Sequence, residues 1–158
     1  MPAYKAPLRD MRFLLNEVFD YPAHYAQLSN GKDADPDTVD AIIGEAAKFC
    51  EEVLAPLNLP GDLEGCRLEN GKVTTPKGFK EAYAKYVELG FGALSAEPEH
   101  GGQGLPPTIG IALSEMMGTA NWSFGMYPGL SHGAINTVEA HGTPEQKETY
   151  LTKLVSGE

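Results

Sequence analysis

The sequence predicts an all-α fold, a bundle of about five to six helices in an orthogonal and up-down arrangement. Apolar residues recur at the spacing of a helix face in most segments of the chain. A capping residue followed by proline, which is a signal for a helix start, precedes three of these segments. A length of 158 residues, 42% of them apolar, suits one hydrophobic core and is too short for two comfortable ones.

The charge balance and the cysteines exclude several classes of function. With 12 basic and 22 acidic residues the net charge is −10, and no cluster of Lys and Arg is present that could displace counterions from nucleic acid. Cys50 and Cys66 form no CxxC pair and have no histidine pair nearby, so neither a zinc site nor a disulfide framework is expected. Residues 1–5 contain no apolar segment of a secretory signal, so the expected location is cytoplasmic.

The first 36 residues predict a short helix and a loop. An amphipathic helix is expected over residues 8–19, where apolar side chains recur at helical spacing. These side chains are Leu8, Met11, Leu15, Val18 and Phe19. Residues 21–36 are rich in turn-forming types and predict mostly loop, with a turn of helix at 23–28.

The clearest helix is predicted to begin after Asp35, which acts as its cap, with Pro36 at the first helical position. Its apolar stripe follows the helix period closely and it is expected to end at Pro56. The stripe consists of Val39, Ile42, Ile43, Ala46, Ala47, Cys50, Val53 and Leu54.

The middle of the chain predicts a connection and a third helix. Residues 57–75 carry several turn signals and are expected to form a long connection, with a small hairpin around Asn70 and Gly71. The third helix is expected to open at Thr75 and Pro76 and to bury one apolar face. That face consists of Phe79, Ala82, Tyr83, Tyr86 and Val87.

Three further helices are predicted after a glycine-rich turn at residues 101–104. The fourth opens at Pro106 and Pro107, and the fifth covers residues 121–140. The last opens with a capping box at Thr143 and Gln146. Residues 116–138 carry no charge over 23 positions but hold five polar side chains, so they predict a helix buried in protein and not a membrane span.

Two loop motifs are weak candidates for ligand sites. The acidic run at residues 33–37 resembles the start of a calcium loop, but Thr38 and Gly44 stand where such a loop needs Gly and Glu, so a solvated helix start is favoured. The turn at 101–104 could cradle a phosphate or could be purely structural; Pro106 and Pro107 lack amide donors, which favours the structural turn. The four histidines show no metal-ligand spacing, and no metal or catalytic residue is expected.

The strongest anomaly is a row of glycines in the fifth helix. Gly125, Gly129 and Gly133 are four apart and share one helix face, which Asn121 and Thr137 would extend. Each glycine costs ~1 kcal/mol of helix propensity relative to Ala, and an internal proline such as Pro128 about 3 kcal/mol. A kink is expected near Pro128. The missing side chains either let another helix pack closely or leave a wall open to a ligand.

The order and spacing of several motifs resemble the N-terminal helical domain of flavin-dependent acyl-CoA dehydrogenases. The motifs are residues 90–94 (GFGAL), 98–105 (PEHGGQGL), 114–115 (SE), 141–147 (HGTPEQK), 150–151 (YL) and 157–158 (GE). Residues 4–11 (YKAPLRDM), 56–58 (PLN) and 61–62 (GD) are similar to a longer bacterial subgroup, which contains the 3-methylmercaptopropionyl-CoA dehydrogenases. The resemblance implies an N-terminal extension with a short helix at residues 1–36 and the helical domain at residues 37–158.

The resemblance also implies a role within a larger enzyme. Such enzymes use FAD to oxidise the α,β-bond of an acyl-CoA, pass electrons to electron-transfer flavoprotein and are commonly homo-oligomers. The flavin β-domain and the domain with the catalytic glutamate are absent from residues 1–158, so the isolated chain is expected to be inactive and not to hold FAD. The acyl pocket is expected to include Met126, Gly129, Leu130 and Gly133, and side chains near the glycine row should be accessible. The alternative is a non-enzymatic helical interaction module.

Overall fold

The computed structural model describes residues 3–158 and is predominantly helical, which confirms the predicted all-α class. The α-helices are α1 Leu8–Phe13, α2 Tyr21–Tyr25, α3 Pro36–Phe49, α4 Ala55–Glu64, α5 Phe79–Glu88, α6 Pro107–His141 and α7 Pro144–Ser156. The strands are β1 Arg67–Glu69 and β2 Lys72–Thr74, π-helical turns cover Leu14–Val18 and Cys50–Leu54, and 3-10 turns cover Phe91–Ala93 and Pro98–His100. No helix in residues 3–158 combines the length and the apolar character that a bilayer crossing requires. The sequence argument about residues 1–5 rests partly on residues 1 and 2, which lie outside the described part.

The first predicted helix is present, but its apolar face is only partly buried. Met11 is buried, whereas Val18 and Phe19 are exposed to solvent. The reason is the π-helical turn Leu14–Val18, because i to i+5 hydrogen bonding widens the helix and rotates the following side chains off the face that a regular helix would bury. The segment is tied to the bundle by ion pairs from Lys5 to Glu51 and from Arg12 to Asp40.

Asp35 caps α3 as predicted, but the helix does not end at Pro56. The Asp35 carboxylate accepts hydrogen bonds from the amides of Asp37 and Thr38. Pro56 lies in the first turn of α4, directly after the π-helical turn Cys50–Leu54, and the chain stays helical through Glu64. The predicted connection at residues 57–75 therefore begins with helix.

The hairpin predicted around Asn70 and Gly71 is confirmed. These two residues have φ angles of 51° and 74°, as a type I′ turn requires, and they join the antiparallel strands β1 and β2. The third predicted helix begins later than expected, at Phe79, because Gly78 has a φ of 89° and cannot continue a helix from Pro76.

Helix α6 contains the fourth and fifth predicted helices, joined at a kink. The kink lies at Asn121, with φ of −160° and ψ of 89°, and not at Pro128, where the backbone remains helical. A buried aromatic cluster packs beneath the second half of α6 and forms the centre of the core. It consists of Phe49, Phe79, Tyr86, Phe91 and Phe124.

Helix α7 closes the bundle through a smaller apolar cluster in which Leu151 and Val155 pack against Ile135 of α6. The predicted capping box is confirmed. The Thr143 hydroxyl accepts from the Gln146 amide, and the Gln146 side chain accepts from the Thr143 amide. Because α7 holds Ile135, the second half of α6 is anchored at its far end.

Candidate functional site

The second half of α6 presents one face to solvent. Trp122, Met126 and Leu130 are 72%, 52% and 72% exposed. Phe124, Pro128 and Ile135 cover the opposite face and are buried in the core. The exposed ridge, defined here as Trp122, Met126, Gly129, Leu130 and Gly133, follows the i, i+3, i+4 spacing that places residues on one side of a helix. Residues 116–138 are therefore half-buried in this chain, not fully buried as their lack of charge predicts.

The glycine row borders open space. A Cβ atom built on Gly125, Gly129 or Gly133 meets no heavy atom within 4 Å apart from its chain neighbours and the backbone of its own helix. Gly61 shows the contrast, because a Cβ there would lie 2.5 Å from the Phe79 ring. Close helix packing therefore does not explain the glycine row within the described chain. The accessibility expected near these glycines is confirmed.

A first groove of about 460 Å³ lies on one side of the ridge. Helix α6 contributes Trp122, Gly125, Met126 and Gly129 to it, and the segment before α6 contributes Phe91 and Leu94. The remaining lining residues include Ile111, Leu113, Met117, Ser95, Ser114 and His132. Its walls are thus mostly apolar and aromatic, with a few polar groups, as in sites that bind an apolar ligand.

A second groove of about 760 Å³ lies on the other side of the ridge, between α6 and the hairpin. It is lined by Ser123, Met126, Tyr127 and Leu130 of α6, by Phe79, Lys80 and Tyr83 of α5, and by Val73, Thr74 and Thr75. Thr74, Thr75 and Lys80 are its polar members. No local sequence pattern predicts this groove, because its walls come from the hairpin and from a helix some 50 residues further along the chain.

The four expected pocket residues share the ridge but not one cavity. Gly129 lines the first groove, Leu130 lines the second, and Met126 lines both. Gly133 continues the ridge and borders neither groove. Trp122, which sequence analysis did not single out, stands one turn before Met126 on the same face, and that spacing was the available signal.

Asn121 does not extend the glycine row, because the kink turns its side chain into the core, where it is 0% exposed. Its Oδ1 accepts hydrogen bonds from the Phe124 amide at 3.1 Å and the Ser123 hydroxyl at 2.8 Å. Its Nδ2 donates to the Leu54 carbonyl at 3.2 Å. Asn121 therefore caps the second half of α6 and fixes it to the π-helical turn Cys50–Leu54.

Two phenols line the grooves, Tyr86 in the first and Tyr127 in the second. Burial raises the pKa of Tyr86 well above its usual range, and burial with the neighbouring Cys66 raises the pKa of Tyr127. Both phenols therefore stay protonated. His132 lies at the edge of the first groove, where its Nε2 is 3.2 Å from Nδ2 of Asn136. Residues 3–158 hold no group of three or more His, Cys, Asp or Glu side chains that could bind a metal ion.

The glycine-rich turn is a structural turn. The amides of Gln103, Gly104 and Leu105 donate to the carbonyls of residues 93, 96 and 94 at 2.8, 3.0 and 2.8 Å. A Cβ on Gly102 would lie 1.9 Å from the Ala96 carbonyl oxygen, which is why glycine is needed there. These amides are already paired, so they cannot also bind a phosphate.

Comparison with known proteins identifies the chain's relatives. Residues 36–158 match the family model for the acyl-CoA dehydrogenase, N-terminal domain. The chain is 42% identical over 154 residues to 3-methylmercaptopropionyl-CoA dehydrogenase from Ruegeria pomeroyi, an alignment that covers 98% of this chain and 26% of the relative.

Two further relatives have the same pattern of coverage. A butyryl-CoA dehydrogenase from Syntrophomonas wolfei is 30% identical over 158 residues, with 98% of this chain and 26% of the relative covered. The mitochondrial isovaleryl-CoA dehydrogenase from Pongo abelii is 31% identical over 113 residues, with 71% and 25% covered. The chain spans about a quarter of the length of these curated relatives.

Proposed function

The chain belongs to the acyl-CoA dehydrogenase family, whose N-terminal domain it matches, and we propose that it forms the acyl-binding wall of an FAD-dependent enzyme that oxidises the α,β-bond of an acyl-CoA. The domain is proposed to comprise residues 37–158, preceded by an extension at residues 1–36. Family membership favours this enzymatic role over that of an interaction module, because the relatives are named as dehydrogenases.

The open glycine row is the observation that carries the proposal. A helix that gives up propensity at Gly125, Gly129 and Gly133 without gaining a packing partner leaves room for a ligand along its ridge. Met126 and Leu130 offer apolar contact to an acyl chain at that ridge, and Trp122 offers an aromatic surface. Binding there removes apolar surface from water on both sides, which stabilises the complex by ~25 cal/mol for each Å² buried.

The glycine-rich turn does not fit the phosphate half of FAD, because its amides are already paired. The ridge residues also carry no acid or base. We therefore assign the flavin, which accepts the hydride when bound, and the catalytic base to parts of the enzyme outside residues 1–158. Transfer of electrons to electron-transfer flavoprotein, assembly as a homo-oligomer and a cytoplasmic location complete the proposal.

Binding of acyl-CoA to this chain tests the proposal, and Trp122 supplies the signal because it is the only tryptophan. We expect octanoyl-CoA to change the Trp122 fluorescence in a saturable way and free CoA to change it much less. Gly129→Leu should weaken octanoyl-CoA binding about tenfold or more, because the new side chain projects into the first groove.

Gly44→Leu is the matched control for that variant. Gly44 lies in α3, and a Cβ there also meets nothing within 4 Å, so the same substitution adds the same bulk away from the ridge. It should leave the affinity for octanoyl-CoA unchanged. Equal affinity of the parent chain for CoA and octanoyl-CoA, or equal loss of affinity in both variants, would contradict the proposed acyl wall.

A further inference from the structure

Met126 lies where the two grooves meet. Among the described residues that line the two grooves, it alone borders both. On α6, Gly125 and Gly129 line the first groove, whereas Ser123, Tyr127 and Leu130 line the second. The Met126 side chain thus lies on the boundary between the first groove, of about 460 Å³, and the second groove, of about 760 Å³.

At the point where both grooves meet, the boundary consists of one flexible side chain, that of Met126. Gly129 and Gly133, the ridge positions three and seven residues further on, have no side chain that could extend it. Met126 itself is 52% exposed, so its side chain is not held by the core. An unbranched thioether chain has three rotatable bonds and adapts its shape to its neighbours more readily than other apolar side chains.

Resting on the proposed function, we propose that Met126 determines acyl-chain specificity by separating the two grooves. With Met126 in place, the acyl chain lies along the ridge and in the first groove, and its distal part does not enter the second groove. When the side chain is absent, the distal part of a longer chain crosses the ridge into the second groove. There Phe79, Tyr83 and Tyr127 provide aromatic contacts, and Thr74 and Lys80 provide polar ones.

The size of the expected effect follows from the number of methylene groups that gain burial. Each methylene removed from water is worth ~0.8 kcal/mol, which corresponds to about a fourfold gain in affinity. An acyl chain that fits within the first groove gains nothing from an open boundary. A chain long enough to cross the ridge gains about fourfold for each methylene that enters the second groove.

The experiment compares the affinities of butyryl-, octanoyl- and dodecanoyl-CoA for the parent chain, Met126→Ala and Met126→Leu by calorimetry and Trp122 fluorescence. We expect Met126→Ala to raise the affinity for dodecanoyl-CoA, relative to butyryl-CoA, about tenfold or more. Met126→Leu keeps the bulk of the side chain and should keep the parent's order of affinities. Thermal melts check folding, which is not expected to change much at a half-exposed helix position.

A double variant shows whether the second groove receives the chain. Leu130 lines only that groove, so Leu130→Phe added to Met126→Ala should fill it and reverse most of the gain for dodecanoyl-CoA. A gain that persists in the double variant, or an unchanged ratio of affinities in Met126→Ala while octanoyl-CoA still binds, overturns the role of Met126 and leaves the acyl wall intact. Failure of the parent chain to prefer any acyl-CoA over CoA overturns the proposed function, and this inference with it.

Discussion

Asn121 concentrates three structural roles in one side chain. It is the one polar residue that is fully buried among the residues described, and all its polar atoms are paired. Oδ1 caps the second half of α6, and Nδ2 binds the Leu54 carbonyl across the core. Because the cap sets where the second half of α6 begins, Asn121 also sets which side chains reach the exposed ridge.

Asn121→Ala should destabilise the fold by about 2 to 3 kcal/mol, since it removes a helix cap and leaves the Leu54 carbonyl without its partner in the core. The measurement is the free energy of unfolding from urea titration. Asn136→Ala, at an exposed position of the same helix, is the matched control and should change it by less than about 0.5 kcal/mol. Equal effects of the two substitutions would contradict the role given to Asn121.

The sequence could not reveal this role. Asn121 lies four residues before Gly125, so an unbroken helix would place it on the glycine row. The kink turns it inward, and its partner Leu54 is 67 positions away in the chain. Met126, Gly129, Leu130 and Gly133 do lie on one face as expected, because regular helix after the kink preserves their spacing.

At the scale of elements, the Asp35 cap of α3 makes stability depend on pH. Hydrogen bonds from the Thr38 side chain, the Thr38 amide and the Asp37 amide lower the pKa of Asp35 in the folded chain. A carboxyl whose pKa is lower in the folded state adds stability above its unfolded pKa of about 3.9, and this stability is lost as the pH falls through the folded value. The helix dipole acts in the same direction.

Asp35→Asn keeps an acceptor for the two amides and removes the charge. We expect the parent to be more stable than this variant at neutral pH and the difference to narrow between about pH 5 and pH 2, as Asp35 becomes protonated in the folded parent. Urea titrations across this range measure the difference. Glu148→Gln, at an exposed position of α7, is the control. If the stability difference between the parent and Glu148→Gln narrowed equally at low pH, the effect would come from general charge and not from the Asp35 cap.

The starts of α3 and α7 were predicted well because their signals are local. Asp35 with Pro36 and Thr143 with Gln146 each lie within one turn, and both caps form as expected. The hairpin at Asn70 and Gly71 is equally local. Helix α4, the kink in α6 and the second groove depend on contacts between distant segments. The local sequence pattern around each was therefore not sufficient to predict it.

At the scale of the whole molecule, the core and the surface place the two cysteines in opposite environments. Cys50 is 0% exposed beside the aromatic cluster, and burial, with the nearby Glu51 carboxylate, raises the pKa of its thiol to about 12. Cys66 precedes the hairpin and is exposed. The thiolate is the reactive form, so burial and a raised pKa both protect Cys50, whereas Cys66 is open to a reagent in solution.

Thiol labelling with a disulfide reagent at neutral pH therefore reports on the integrity of the whole bundle. In the native chain Cys66 should react at once and Cys50 only through global unfolding, because Cys50 lies between helices that must all separate to expose it. Its labelling rate should rise steeply with urea, in parallel with the unfolded fraction. Cys66→Ser removes the fast phase and leaves the slow one, whereas rapid reaction of Cys50 in that variant without urea would show that the core is not closed around it.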